Sequence, residues 1–243
     1  MRIIPIVTPL LKPPKDDLFL ALKQLYLDLK ERDIVLISSK VVSIHQGRCV
    51  PMTGKGIEKK DLVLSEADMW RERKGGGNPL TIKYGAFISN AGIDESNGCG
   101  HYVLLPKEPY QMARKIQEYF CNRFHLTELG VVITDSHSQP FRYGALSVAI
   151  AGYGFSPVRI HTGEVDLFGR VTKYGVVNVI DSLASMSTLV CGEGAQRKSV
   201  VIARGVPDID FGDFDVAKEL LVPPDQDRYF SIYDDFKKGG SDI

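Results

Sequence analysis

The sequence carries no excess of either charge: lysine plus arginine and aspartate plus glutamate both number 30 among its 243 residues. A balanced chain excludes broad electrostatic attraction to nucleic acid or to an anionic membrane surface, although a local basic pocket remains open. No apolar run approaches the roughly 20 residues a membrane-spanning helix needs. The segment Met1–Pro9 lacks a long apolar core with a small-residue cleavage site, so it reads as mature protein. Cysteine is scarce. Cys49, Cys99, Cys121 and Cys191 fall in no metal-ligand spacing, which removes a thiolate metal site and points to a reduced, cytoplasmic chain. The single tryptophan, Trp70, is assigned to packing. No GxxxxGK[ST] phosphate loop is present, and Gly75-Gly76-Gly77 reads as a flexible surface loop. Internal repeats and low-complexity blocks are absent.

What is present is a buildable interior, with 44% hydrophobic residues. The proline-punctuated start, 1–13, reads as an edge strand or an extended entry. Helices are expected over 16–32, 58–73, 108–124 and 181–191, and strands over 34–39, 81–88 and 131–134, with further apolar runs at 147–151, 176–180 and 200–203 among glycines. No linker divides the chain cleanly. The expected fold class is therefore α+β, with mixed sheets, helices and two interleaved lobes. The Asp- and Pro-rich end, 206–243, reads as a docking arm or a partly disordered extension.

Polar, mostly acidic residues cluster at three places that follow apolar elements: Asp94 with Asn97, Asp135 with Ser136, and Glu193 after the 181–191 helix. Carboxylates leaving a buried element need a cleft or a surface. If the clusters converge, they form a hard-oxygen site suited to Mg²⁺ or Mn²⁺ bridging phosphate oxygens. Asp and Asn after strands are also ordinary turn formers, and spacing alone does not bring the clusters together.

Longer motifs carry more. The segment Ser89-Asn90-Ala91-Gly92-Ile93-Asp94-Glu95-Ser96-Asn97 closely resembles a signature of the coenzyme F-420:L-glutamate ligases. So do Ile37–Ser43 followed by Gly47-Arg48, Ile133–Ser136 with Pro140 and Arg142, Asp166–Arg170, Leu189–Gly194, and Arg204-Gly205. These blocks occur in the family's order over residues 5–205, which sets a catalytic domain at 1–205 and an extension at 206–243.

The resemblance implies an acid–amino-acid ligase: a nucleoside triphosphate, GTP or ATP, activates a terminal carboxylate as an acyl phosphate, and the α-amine of L-glutamate displaces phosphate. It implies Asp94, Asp135, Ser136 and Glu193 as ligands for two metal ions. Thr8, Pro9, Leu10, Leu11, Ser39, Lys40, Asn97, Cys191, Gly192 and Gly194 are implied as nucleotide contacts, within a covering loop that runs from Cys191 to Lys198. Arg142 joins Asp94 and Asp135 as an implied catalytic group, with Arg142 and Arg170 suited to carboxylate or phosphate, or to surface ion pairs. It also implies an intertwined homodimer. His137 reads as a turn histidine bonded to backbone.

This sequence departs from the family where Ile44 replaces a lysine, leaving His45 beside it as a partial substitute. It departs again where Ser136–Arg142 loses one arginine and carries Phe141 for tryptophan. The Asp166–Arg170 block and the Gly192-Glu193-Gly194 turn resemble relatives assigned to folate metabolism, so a folate-type acceptor is expected, with the deazaflavin precursor as the alternative. Two readings of other classes are a non-catalytic nucleotide- and metal-binding regulator and a metal-dependent phosphatase or kinase. Neither nucleic acid nor membrane is expected as a partner.

Overall fold

A computed structural model describes residues 1–53, 58–192 and 194–240. The chain opens with β1 (Arg2–Ile6), α1 (Leu18–Lys23), β2 (Asp33–Ser38), α2 (Ser39–Gln46) and β3 (Cys49–Pro51). It continues through α3 (Lys59–Glu66), β4 (Met69–Arg71), β5 (Leu80–Lys83), β6 (Ala86–Phe87), β7 (His101–Val103) and α4 (Pro109–Phe124). The second half holds β8 (Leu129–Ser138), β9 (Ala145–Tyr153), β10 (Val158–Ile160), β11 (Val176–Asn178), α5 (Val179–Cys191), β12 (Val200–Arg204), α6 (Val216–Leu220) and β13 (Lys237–Lys238).

The main sheet runs β1-β12-β2-β8-β9. Only β2 and β8 are parallel, and every other neighbour is antiparallel. The central stretches of β2, β8 and β12 (34–37, 131–133 and 200–203) are continuously apolar because both faces are covered there. Val35, Ile37, Val131 and Ile133 pack beneath α1, α2 and α4. Ile34, Leu36 and Val132 pack against α5 and α6 on the other side. A smaller sheet, β13-β4-β5-β6, lies beside a third cluster around Val63, Ile93 and Leu104. This mixed α+β architecture matches the class expected from sequence. Far from being loose, the 206–240 segment buries Val216 and lends β13 to pair with β4.

Three expectations are corrected. The helix expected over 16–32 stops at Lys23, and residues 24–30 are non-helical with Leu25, Leu27 and Leu29 buried alternately with exposed Tyr26, Asp28 and Lys30. That alternation has the period of an extended chain, not of a helix. Arg123 of α4 fixes the stop by donating to the carbonyls of Leu22 (2.7 Å), Lys23 (3.2 Å) and Leu25 (3.0 Å). The strand expected over 81–88 is a hairpin, because Tyr84 and Gly85 both have positive φ, 52° and 73°, as a tight two-residue turn requires. Finally, the helix expected over 58–73 ends at Glu66, and Met69–Arg71 is strand β4, paired with β5; α2, for which no helix was expected, carries Val41, Val42 and Ile44, residues that favour strands but here fill the core above Ile37 and Ile133.

Candidate active site

β2 and β8 run parallel, so their carboxyl ends open side by side, the usual place for a ligand in such a sheet. A cavity of about 350 Å³ lies there. Its floor and walls come from segments far apart in sequence.

The first wall is the β2–α2 junction. Ser38 ends the strand and Ser39 starts the helix, so Lys40 and the first-turn N–H groups sit at the cavity, a geometry that favours anions. The second is the segment ending in Asp94. Asn90, Ala91 and Gly92 all take left-handed backbone, with φ of 54°, 51° and 75°. Glycine is required at 92, where a Cβ would lie 2.4 Å from Leu105 Cγ. Asp94 then pairs with Val103, N to O at 2.9 Å and 2.8 Å in return. The third is β8, where Ile150 bulges out of the facing strand β9 and shifts the register between Ile133 and Thr134, and Asp135 and Ser136 beyond that step line the cavity. The fourth is the 7–11 loop, tied to the 192–199 loop by Thr8, whose N–H (2.7 Å) and Oγ1 (3.1 Å) both donate to Arg197 O.

Electrostatics separate the two carboxylates. Burial alone raises the Asp94 carboxyl, but the Lys40 ammonium and the Ser96 donors more than offset it and hold it below its ordinary value. Lys40 Nζ bonds Asp94 Oδ2, Ser96 O (2.9 Å) and Ser96 Oγ (3.2 Å). Ser96 N–H (2.7 Å) and Oγ (2.9 Å) complete the shell of Asp94. Asp135 goes the other way. Burial and the charge of Asp94 push it up to about 7, against the opposing Ser39 hydrogen bond at 2.6 Å and the charge of Lys40. Two adjacent carboxylates, one of them poorly solvated, with a hydroxyl beside them, form an all-oxygen donor set. Such a set fits a hard divalent cation whose remaining positions are filled by water and phosphate. Among the described residues no three His, Cys, Asp or Glu side chains cluster.

Of the residues singled out in the sequence, Thr8, Pro9, Leu10, Leu11, Lys40, Asp94 and Asn97 line this cavity. Asp135, Ser136, Cys191, Gly192 and Gly194 line it as well. Ser39 does not line it but bonds Asp135 from behind. Glu193 lies outside the described residues. Arg142 sits on the exposed turn between β8 and β9, and Arg170 on the exposed turn between β10 and β11. The structure brings neither to the cavity. His137 is part of β8, paired with Leu146, rather than in a turn. His45 is no substitute for the replaced lysine, since its Nδ1 accepts from Leu18 N–H (3.2 Å) on the α1 side. Ile44 lines the cavity as a buried apolar residue.

Sequence reading missed Ser96, Ser147, Ser187, Thr188 and Ser199, which also face the cavity. Hydroxyl spacing along α5 was the available signal, because Ser185 and Thr188 lie one helical turn apart and both reach β9.

A helix N-terminus, a lysine, two carboxylates and glycine-bearing loops around one cavity define an enzyme that handles phosphate groups. A model of the family described as "F420-0:Gamma-glutamyl ligase" matches residues 5–205. The "Coenzyme F420:L-glutamate ligase" of Methanocaldococcus jannaschii is 32% identical over 219 residues, covering 83% of this chain and 86% of that protein. Its namesake in Methanopyrus kandleri is 30% identical over 248 residues, covering 94% and 97%. That of Halobacterium salinarum is 32% identical over 221 residues, covering 82% and 84%. The chain belongs to the F420-0:gamma-glutamyl ligase family and is a nucleotide-dependent acid–amino-acid ligase. The folate-type acceptor expected from the sequence is thereby overturned, together with assignment to a folate subgroup, since these relatives all carry the F420 name. The Asp166–Arg170 block that suggested folate stands on an exposed hairpin and does not line the cavity.

Proposed function

We propose that this chain joins the α-amine of L-glutamate to the terminal carboxylate of F420-0, the deazaflavin precursor, at the expense of GTP or ATP. The observation that carries this reading is the convergence of Thr8, Lys40, Asp94, Asn97, Asp135 and Gly192 on one cavity. A carboxylate and an amine do not condense in water without activation, so the γ-phosphoryl group passes first to the acceptor carboxylate. That transfer is governed by positioning and charge neutralisation. In this reading the amides at the start of α2 and Lys40 bind phosphate oxygens, while Asn97 and the 8–11 and 191–194 segments enclose the nucleotide. Asp94, Asp135 and Ser136 would hold Mg²⁺ or Mn²⁺, with Glu193 a further carboxylate by its place in the sequence, and such an ion would supply charge neutralisation for the transferring phosphoryl group. The left-handed turn at 90–92 and the bulge at Ile150 of β9, opposite the Ile133–Thr134 step, fix the two carboxylates so that little reorganisation accompanies transfer.

We further place the catalytic unit in 1–205, with 206–243 as an extension, and the protein in the cytoplasm as a two-lobed homodimer. No helix among the described residues is long and apolar enough to cross a membrane. Dimerisation is supported by an exposed apolar arm: Val165, Leu167, Phe168, Val171 and Tyr174 project from the β10–β11 hairpin, an unusual apolar density for a free surface. Replacing Leu167→Asp and Phe168→Asp together is expected to convert a dimer into a 26.9 kDa monomer by light scattering with its circular dichroism unchanged. A wild-type monomer would remove the dimer from the proposal.

The function itself is tested by incubating the protein with metal, nucleotide, glutamate and either F420-0 or a reduced folate, then measuring product mass. One added glutamyl unit on F420-0 and none on the folate is expected. Phosphate release that ignores glutamate would instead identify a phosphatase, and no turnover a regulator.

A further inference from the structure

β9 is the outer strand of the main sheet, so one row of its backbone groups has no strand partner. Helix α5 supplies the partners from its side chains. Asp181 Oδ1 accepts from Ala149 N–H (2.8 Å), Ser185 Oγ donates to Ser147 O (3.0 Å), and Thr188 Oγ1 accepts from Ser147 N–H (2.9 Å). Thr188 then donates its own proton to Ser147 Oγ (2.8 Å). Two hydroxyls that share one bond use one of their two protons in it, and no described residue takes the other. Ser147 and Thr188 both line the cavity, and Ser147 lies directly across from Ser136 in the β8–β9 ladder. A polarised hydroxyl left with one free proton is matched to an anionic oxygen, not to an amine.

We propose that Thr188 and Ser147 form a two-hydroxyl donor relay that binds an anionic oxygen of the reacting group. That oxygen belongs to the terminal phosphoryl of the nucleotide or to the acceptor carboxylate it is transferred to. The inference deepens the ligase reading and rests on it. Neither residue stands out in the sequence, and Ile44 adds no charge to this cavity, so a neutral donor gains importance in holding the oxygen.

The test is calorimetry with Mn²⁺ and a non-hydrolysable nucleoside triphosphate, the matching diphosphate, and F420-0. With Ser147→Ala, triphosphate binding is expected to weaken about 10-fold while diphosphate binding changes by less than about twofold. If the loss appears in F420-0 affinity alone, the relay holds the acceptor carboxylate, which also supports the proposal. Ser147→Thr keeps the hydroxyl on a strand-favouring residue and retains affinity. Thr188→Val, which removes the donor behind Ser147, shifts binding in the direction of Ser147→Ala and serves in its place should that variant not fold. Unchanged affinity for triphosphate and acceptor, or an equal loss in Ser147→Thr, overturns the relay. A wild-type protein that fails to bind the triphosphate overturns the ligase reading instead.

Discussion

Asp135→Asn is expected to abolish ligation and, at the same time, to stabilise the protein when divalent metal is removed. The loss follows from taking a charged donor away from the transferring phosphoryl group, worth several kcal/mol of transition-state stabilisation, or on the order of 10³–10⁴ in rate. The gain follows from linkage. Burial, aided by the charge of Asp94, lifts the Asp135 carboxyl from an ordinary 3.8 to about 7. Between those values the folded chain holds a proton the unfolded chain has released, so stability falls as pH rises through that window and the full penalty stands above pH 7. At pH 8 in chelator the asparagine variant should exceed wild type by about 2–4 kcal/mol, and the difference should vanish near pH 4. Thermal melts at both pH values in chelator check this. A variant less stable than wild type at pH 8 would show that the carboxylate is not held at a cost by its surroundings.

Lys40→Met should separate metal binding from phosphate binding. The ammonium sits in the shell of Asp94, bonded to its carboxylate and to Ser96. A cation there opposes entry of a second cation while no phosphate is bound. Without nucleotide, the methionine variant is expected to bind Mn²⁺ about 3- to 10-fold more tightly, because a competing unit charge a few ångströms away has gone. Turnover should nonetheless drop by about 10²–10³, since the point charge that meets a phosphate oxygen is lost. Arginine should not restore it, because a planar fork cannot enter the compact Asp94–Ser96 shell in the ammonium's place. Calorimetry with Mn²⁺ alone and steady-state rates give both halves. Metal affinity that stays the same or weakens would mean that Lys40 does not guard Asp94.

Much of the scaffold could be read from residue order. The amphipathic run ending at Phe124 was placed to within a residue, and the runs at 34–39, 131–134 and 200–203 fell in the main sheet apart from Ser39, which opens α2. What failed had specific causes. Leu25, Leu27 and Leu29 alternate, and the leucine-rich composition masked that period. In α2, packing against Ile37 and Ile133 overrode the strand preference of Val41 and Val42. Within the site, the carboxylates were visible because each sits in a long motif. Their meeting was not, since it depends on β2 and β8 being parallel neighbours, on a bulge at Ile150, and on a left-handed turn at Asn90. The hydroxyls of α5 and β9 were overlooked although the spacing of Ser185 and Thr188 was legible, because what a hydroxyl bonds is set by partners that only the fold supplies. Arg142 and Arg170 illustrate the converse, for motif membership drew attention to them while the fold leaves both on exposed turns.

The most direct measurement is an anomalous-scattering map from crystals grown with Mn²⁺ and a non-hydrolysable nucleoside triphosphate. A manganese peak touching both Asp94 and Asp135, with the terminal phosphate beside it and Lys40 turned onto a phosphate oxygen, is the expected result. Manganese and triphosphate bound away from the carboxyl ends of β2 and β8, with Asp135 still hydrogen-bonded to Ser39 and free of metal, would contradict it.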